Sequence, residues 1–390
     1  MIWKKIGVTI SFFVLSLSLI AQDRYDLTIL INANAAGHKG EDIFVAGNFN
    51  NWQPSDTSFR VKKKNKQWAF TFKQIPTGNQ QFKITRGGWD NVEVNKDGSD
   101  KNNRKLLLLR DTSIEITVEA WKDDFSLTKR KHTATAQVQL LDSAFYIPQL
   151  DRYRRISIYI PKGYQTSKQR YPVLYMHDGQ NLFDEFTSGF GEWKVDETLD
   201  SLIAKGKKAS IVVAIDNGPK RLQEYNPFYF ERFGAGEGEA YVDFIATVLK
   251  PFIDSSYRTL PDKSNTAIAG SSMGGLISYY ALLKRPDIFG KAGVFSPAFW
   301  TADSINRMTD SLANKIDGKL FFYMGSKEGD EMVDNMMRVT DSLGRYSTAD
   351  IFTAIDEQGE HNEKAWQKWF SEFYLWINAK GLSHVIKTED

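Results

Sequence analysis

Cysteine is missing from all 390 residues of the chain. Disulfides, thiolate metal sites and a cysteine nucleophile are therefore excluded. Histidine is scarce: His38, His132, His177, His361 and His384 are the five present, so a reaction that needs an imidazole base has few candidates. Long apolar runs are scarcer. One stretch, Ile6 to Ile20, follows Lys4 and Lys5 and precedes Ala21-Gln22-Asp23. A charged start, a short apolar middle and a small residue before polar sequence predict a cleaved export signal over residues 1–21, and so a periplasmic or secreted protein without a remaining membrane anchor. The run is short for a bilayer span, which takes about 20 residues. An excess of one charge is absent too. The formal net charge is +2, and losing Lys4 and Lys5 leaves 2 − 2 = 0, which gives nucleic acid no electrostatic footprint. The cluster Lys62-Lys63-Lys64 is a solvated strand-and-turn edge.

What the chain has is core. Hydrophobic residues make up 42% and aromatics 13%, ample for more than one domain at this length. From Asp26 to Glu119 short alternating runs such as Leu27 to Ile31, Ile43 to Ala46 and Phe82 to Ile84 are separated by turn signals. They predict a small all-β, immunoglobulin-like sandwich over residues 22–122. The segment Asp97-Gly98-Ser99-Asp100 lacks the ligand spacing of a calcium loop and predicts a hairpin turn. A polar linker over residues 123–137 follows. From 138 to 385 apolar strands alternate with helices, the pattern of an α/β domain with a mostly parallel, doubly covered sheet.

Within that region Gly270-Ser271-Ser272-Met273-Gly274 fits G-x-S-x-G. It lies between an apolar strand, Asn265 to Ala269, and a helix, Leu276 to Leu283. A sharp strand-to-helix turn there would push the Ser272 hydroxyl out of the sheet as a nucleophile, while Ser271 is in the wrong register. Ligands in such sheets bind at the carboxyl ends of strands. His361 follows the last predicted strand, Ile351 to Ile355, and is the candidate base; His177, after the strand Pro172 to Met176, is the competitor and has a loop-shaping role. The third member belongs in Gly325 to Glu331, where Glu328 is preferred and Asp330 is the alternative. The amides of Met273 and Gln180 would form an oxyanion hole, with Gly179 allowing close approach of the backbone to the ligand.

Two resemblances add to this. Val45-Ala46-Gly47-Asn48-Phe49-Asn50-Asn51-Trp52, with Phe82-Lys83 and Gly88-Trp89, is similar to glycogen- and starch-binding modules. That resemblance puts sugar contacts on Trp52, Lys83 and Trp89, where an indole can stack on the C–H face of a pyranose. Tyr171 to Phe183, Gly191-Glu192-Trp193-Lys194-Val195-Asp196-Glu197-Thr198, Gly270 to Gly275 and Gly325 to Glu328 together resemble the "Putative esterase" family of α/β-hydrolases. It includes feruloyl, acetyl-xylan and enterochelin esterases and the antigen 85 mycolyltransferases. The resemblance implies Ser272, Glu328 and His361 as the triad, Gln180 and Met273 as oxyanion donors, and no cofactor or metal. Trp193, Tyr225, Phe299 and Trp300 either line an acyl pocket or pack against the domain. The predicted function is an exported serine esterase acting on a carbohydrate-linked acyl group. A siderophore esterase and a non-catalytic glycan-binding protein are the alternatives.

Overall fold

A period of two governs the chain up to residue 125, and it builds strands. The computed structural model describes residues 23–33, 38, 41–64, 67–98, 100–125, 131–379 and 385–389. The predicted export segment, and with it residues 1–22, lies outside these, as do His384 and Ser99 of the predicted turn. The chain divides into two compact units, up to residue 128 and from residue 129 on.

In the first unit the strands are β1 (Arg24–Ala33), β2 (Ile43–Gly47), β3 (Arg60–Lys64), β4 (Gln67–Pro76), β5 (Gly78–Thr85), β6 (Glu93–Val94), β7 (Arg104–Leu108), β8 (Thr112–Val118) and β9 (Ala120–Trp121). Leu27, Ile29 and Ile31 alternate along β1 and are all buried, so one face of that strand makes core. Seven strands hydrogen-bond in the order β7-β5-β2-β3-β4-β1-β8, and β6 pairs with β9. The β2–β3 junction is narrow, two residue pairs, Ile43 with Val61 and Phe44 with Arg60. Side chains from both halves of the series, among them Ile29, Phe72, Val45 and Ile84, share one core. Strand β7 escapes sequence reading because four successive leucines, Leu106 to Leu109, hide an alternation in which Leu107 is exposed and Leu108 buried.

The second unit contains one nine-stranded sheet, in the order β10-β11-β13-β12-β14-β15-β16-β17-β18. Its members are β10 (Val138–Ile147), β11 (Arg152–Tyr159), β12 (Val173–His177), β13 (Ile211–Ile215), β14 (Thr266–Ser271), β15 (Lys291–Phe295), β16 (Lys319–Gly325), β17 (Asp350–Asp356) and β18 (Val385–Glu389). The first two pair antiparallel to their neighbours; from β13 through β18 all pairing is parallel. Strands β12, β13 and β14 are buried at every position, as expected where helices cover both faces. Two separate cores lie against the two faces.

Helices lie at Val195–Ala204, Met273–Lys284, Asp330–Tyr346 and Glu363–Asn378, the second containing the predicted Leu276 to Leu283 run. A further helical run extends from Gly238 to Ser256 and contains a π-helical turn, Ile245–Leu249. Another helix spans Ser304–Leu312. Among the described residues no helix is long and apolar enough to cross a membrane.

Candidate active site

Four adjacent parallel strands, β14 to β17, deliver the site residues at their carboxyl ends. Ser272 comes directly after β14 and directly before the helix Met273–Lys284, with φ 58° and ψ −121°. A non-glycine residue with positive φ at that turn is strained. Its neighbours hold it there: the Ser272 amide donates to the Phe295 carbonyl at 2.9 Å, and the Ser272 carbonyl accepts from the Ala298 amide at 3.0 Å. The turn is also crowded. A Cβ on Gly270 would lie 2.9 Å from the Gly274 carbonyl, and one on Gly274 would lie 3.3 Å from Asp178 Oδ2. Ser271 is the last residue of β14 and is buried.

Strand β16 ends in a short turn, Ser326–Glu328, that folds the Glu328 carboxylate back over the strand end. Its Oε1 accepts from the Gly325 amide at 3.0 Å and from Ser296 Oγ at 2.6 Å. Its Oε2 lies 2.6 Å from His361 Nδ1. A carboxylate can only accept, so His361 carries its proton on Nδ1 and leaves the Nε2 lone pair free. Burial would lower the His361 pKa, but the Glu328 charge and hydrogen bond outweigh it and the net shift is upward. The Glu328 side chain is 3% exposed and that of His361 47%, so the acid is dry and the imidazole reaches the surface. Asp330, the alternative acid, is exposed in the first turn of the helix Asp330–Tyr346.

Three residues that sequence reading missed support this pair. Ser296, at φ 42° just after β15, donates to Glu328 and accepts from Trp366 Nε1 at 2.9 Å. Trp366 in turn meets the His361 ring edge-on at 5.1 Å. Glu363 is buried at the start of the last helix, and burial pushes its carboxyl up to about 8. It accepts from Asn181 Nδ2 at 3.3 Å and, when ionised, favours the protonated form of His361.

The Gly179–Asn181 turn after β12 carries Gln180, whose side-chain Oε1 accepts from the Asn217 amide at 3.1 Å. The amide of Met273 is the first of its helix and has no acceptor four residues back. Gly179 was expected to let backbone approach a ligand. Its space is instead filled by protein: a Cβ there would be 2.8 Å from the Ala214 carbonyl carbon. The strain falls on Asp178, at φ 55°, which is anchored by Arg221 at 2.7 and 2.8 Å and by Asn217 at 2.6 Å. Burial would raise the Asp178 pKa; the Arg221 charge prevails and holds it below the usual carboxylate range.

His177 does not reach this edge as a base. It is buried, burial drives its pKa down to about 3, and Nδ1 meets the Tyr241 hydroxyl at 3.0 Å. His38 bonds Asp124 and Glu41 in the first unit, and His132 bonds Asp184. Of the four loop aromatics, three pack as core. Trp193 packs edge-on to Phe295 and Phe370 and tilted against Trp366; Tyr225 packs on His177 and Tyr241; Phe299 meets Tyr279. Trp300 alone stays half-buried, edge-on to Phe230. In the first unit Trp52 and Trp89 are brought together, ring centroids 6.4 Å apart, and both are half-buried. Lys83, on β5, is half-buried and desolvation lowers its pKa.

Residues 147–377 match the family described as "Putative esterase". The chain belongs to that family. It is a carboxylic ester hydrolase of the α/β-hydrolase type. The esterase is 27% identical over 246 residues to YbbA of Bacillus subtilis (strain 168), covering 59% of this chain and 94% of that one. It is 29% identical over 238 residues to an endo-1,4-beta-xylanase/feruloyl esterase of Xylanibacter ruminicola, covering 60% of this chain and 30% of that protein. Its fold is similar to that of the enterobactin esterase FES from Shigella flexneri, with a TM-score of 0.50 at 15% identity over 86% of this chain and 88% of that one.

Proposed function

We propose that the esterase works through an acyl-enzyme on Ser272. The observation that carries this reading is the strained Ser272 backbone, φ 58° and ψ −121°, on the same sheet edge as the His361–Glu328 pair. His361 Nε2 takes the hydroxyl proton as Ser272 attacks the ester carbonyl, then returns it to the leaving alcohol; water reverses the sequence to release the acid. Glu328 fixes the Nδ1–H tautomer and stabilises the imidazolium. The amides of Gln180 and Met273 receive the developing oxyanion.

The substrate we propose is a carbohydrate-linked acyl ester of the feruloyl or acetyl kind. The feruloyl-esterase likeness supports it, and so does the Trp52–Trp89 pair, which sets two half-buried indoles side by side. On this reading the mostly stranded first unit is an immunoglobulin-like glucan-binding module that uses Trp52, Lys83 and Trp89. Residues 1–21 direct export to the periplasm or beyond. A siderophore ester is the second reading, because the solved esterase of similar fold was crystallised with enterobactin. Hydrolysis of methyl ferulate, acetylated xylan and a catecholate siderophore separates the two. Preference for the sugar esters supports the first; turnover of the siderophore alone replaces it with the second.

A further inference from the structure

The Gly191–Thr198 segment supplies Trp193 to the core, yet its three carboxylates also turn inward. Glu192 is buried, Asp196 is fully buried and Glu197 is half-buried. One oxygen from each lies within 4.8 Å of the others. Two ligands bound 2.3–2.6 Å from one calcium ion can be at most about 5 Å apart. Each carboxylate also keeps a buried oxygen with no hydrogen-bond partner: Glu192 Oε2, Asp196 Oδ1 and Glu197 Oε2.

The carboxyl groups of Asp196 and Glu197 face one another closely enough to share a proton; the other contacts come from one short stretch. Thr133 Oγ1 donates to Glu192 Oε1 at 3.0 Å, and the Thr135 amide donates to Asp196 Oδ2 at 2.7 Å. Among the described residues no lysine or arginine forms an ion pair with any of the three acids. The His38, Asp123 and Asp124 cluster of the first unit differs, because Arg86 neutralises it. Unpaired buried carboxylate oxygens are costly, and three negative groups together add repulsion.

We propose that Glu192, Asp196 and Glu197 bind one divalent cation, and that the cation is calcium. The donors are all oxygen, which selects a hard ion. Magnesium keeps several of its waters, whereas calcium accepts an irregular set of protein oxygens. The ion would tie the stretch entering the second unit, at Thr133 and Thr135, to the loop between Asn181 and the helix Val195–Ala204. That loop holds Asn181 through Gly189 at 3.1 Å and Trp193 at 2.9 Å. Without an ion, burial pushes all three carboxyls up, Glu197 to about 8, so protons are the competing occupant.

The test is calorimetric titration of the EDTA-treated, desalted full chain with calcium chloride and, in parallel, magnesium chloride, together with thermal melting. One calcium per chain is expected. At a calcium concentration 100 times its dissociation constant, the second unit should melt about 5–10 °C higher. Magnesium should bind more weakly, and Asp196→Asn with Glu197→Gln should abolish binding and shift. Absence of calcium binding and of any melting shift in the unmutated chain would overturn the proposal, whether or not the double variant folds. In that case a double variant more stable than the parent at pH 8 would identify protons as the occupant. Tighter magnesium binding would overturn the choice of ion.

Discussion

His361 Nδ1 lies 2.6 Å from Glu328 Oε2, while the other oxygen of that carboxylate is held by Ser296 and the Gly325 amide. The carboxylate therefore has one orientation, and it sets one imidazole tautomer. Glu328→Gln would present an amide that can donate to Nδ1 and reverse the tautomer. We expect kcat to fall about 10⁴-fold with little change in KM. In the parent enzyme kcat/KM should rise with pH along an acidic limb whose midpoint lies above 6.5, the ordinary histidine value, because a base must be deprotonated and Glu328 favours the proton. A limb below that value would show that His361 does not feel the carboxylate during turnover.

Ser296 tests whether that orientation matters by itself. Ser296→Ala keeps the Gly325 amide on Oε1 but removes the Ser296 hydrogen bond and leaves Trp366 Nε1 without its acceptor. A loss of one or two such bonds predicts a fall in kcat of about 10-fold. Unchanged kcat would mean that Glu328 is positioned by backbone alone.

The residues carrying local pattern were legible. Ser272 sits in a glycine-flanked turn between strand and helix, and Glu328 and His361 follow apolar runs that become β16 and β17. Ser296, Trp366 and Glu363 carry no such signal. Ser296 meets Glu328 and Trp366, and Glu363 meets Asn181, through contacts between distant parts of the chain, which no window of sequence contains. The loop aromatics Trp193, Tyr225 and Phe299 are core for the same reason: loop sequence does not say that a loop folds inward. Strand β10 carries little strand signal because bulges between Leu140 and Phe145 break its alternation, and six of its ten residues face solvent.

Glu363 makes stability depend on pH. Its folded pKa, about 8, exceeds its ordinary 4.5, so the folded state holds the proton longer. That contribution is fully present below 4.5 and is lost as pH rises through about 8. The slope reaches at most about 1.4 kcal/mol per pH unit in that window. Glu363→Gln stays neutral throughout, so its melting temperature should gain on the parent from pH 5 to pH 8. A constant difference would show that Glu363 does not titrate there.

The tryptophan pair of the first unit should be separable from chemistry. Trp52→Ala is expected to weaken binding of soluble glucan by roughly 10-fold or more, a stacking contribution of about 1–2 kcal/mol. Turnover of a small ester such as p-nitrophenyl acetate should not change. Glucan binding equal in parent and variant would remove Trp52 from the sugar surface.

Covalent catalysis at Ser272 can be tested directly. Rapid mixing of enzyme with excess p-nitrophenyl acetate should give a burst of one p-nitrophenolate per chain, and mass spectrometry of the quenched enzyme should find one acetyl group on the peptide carrying Ser272. Ser272→Ala should lack both and lose about 10⁶-fold in kcat. Retained turnover by pure Ser272→Ala, or an acetyl group on another residue, would contradict it.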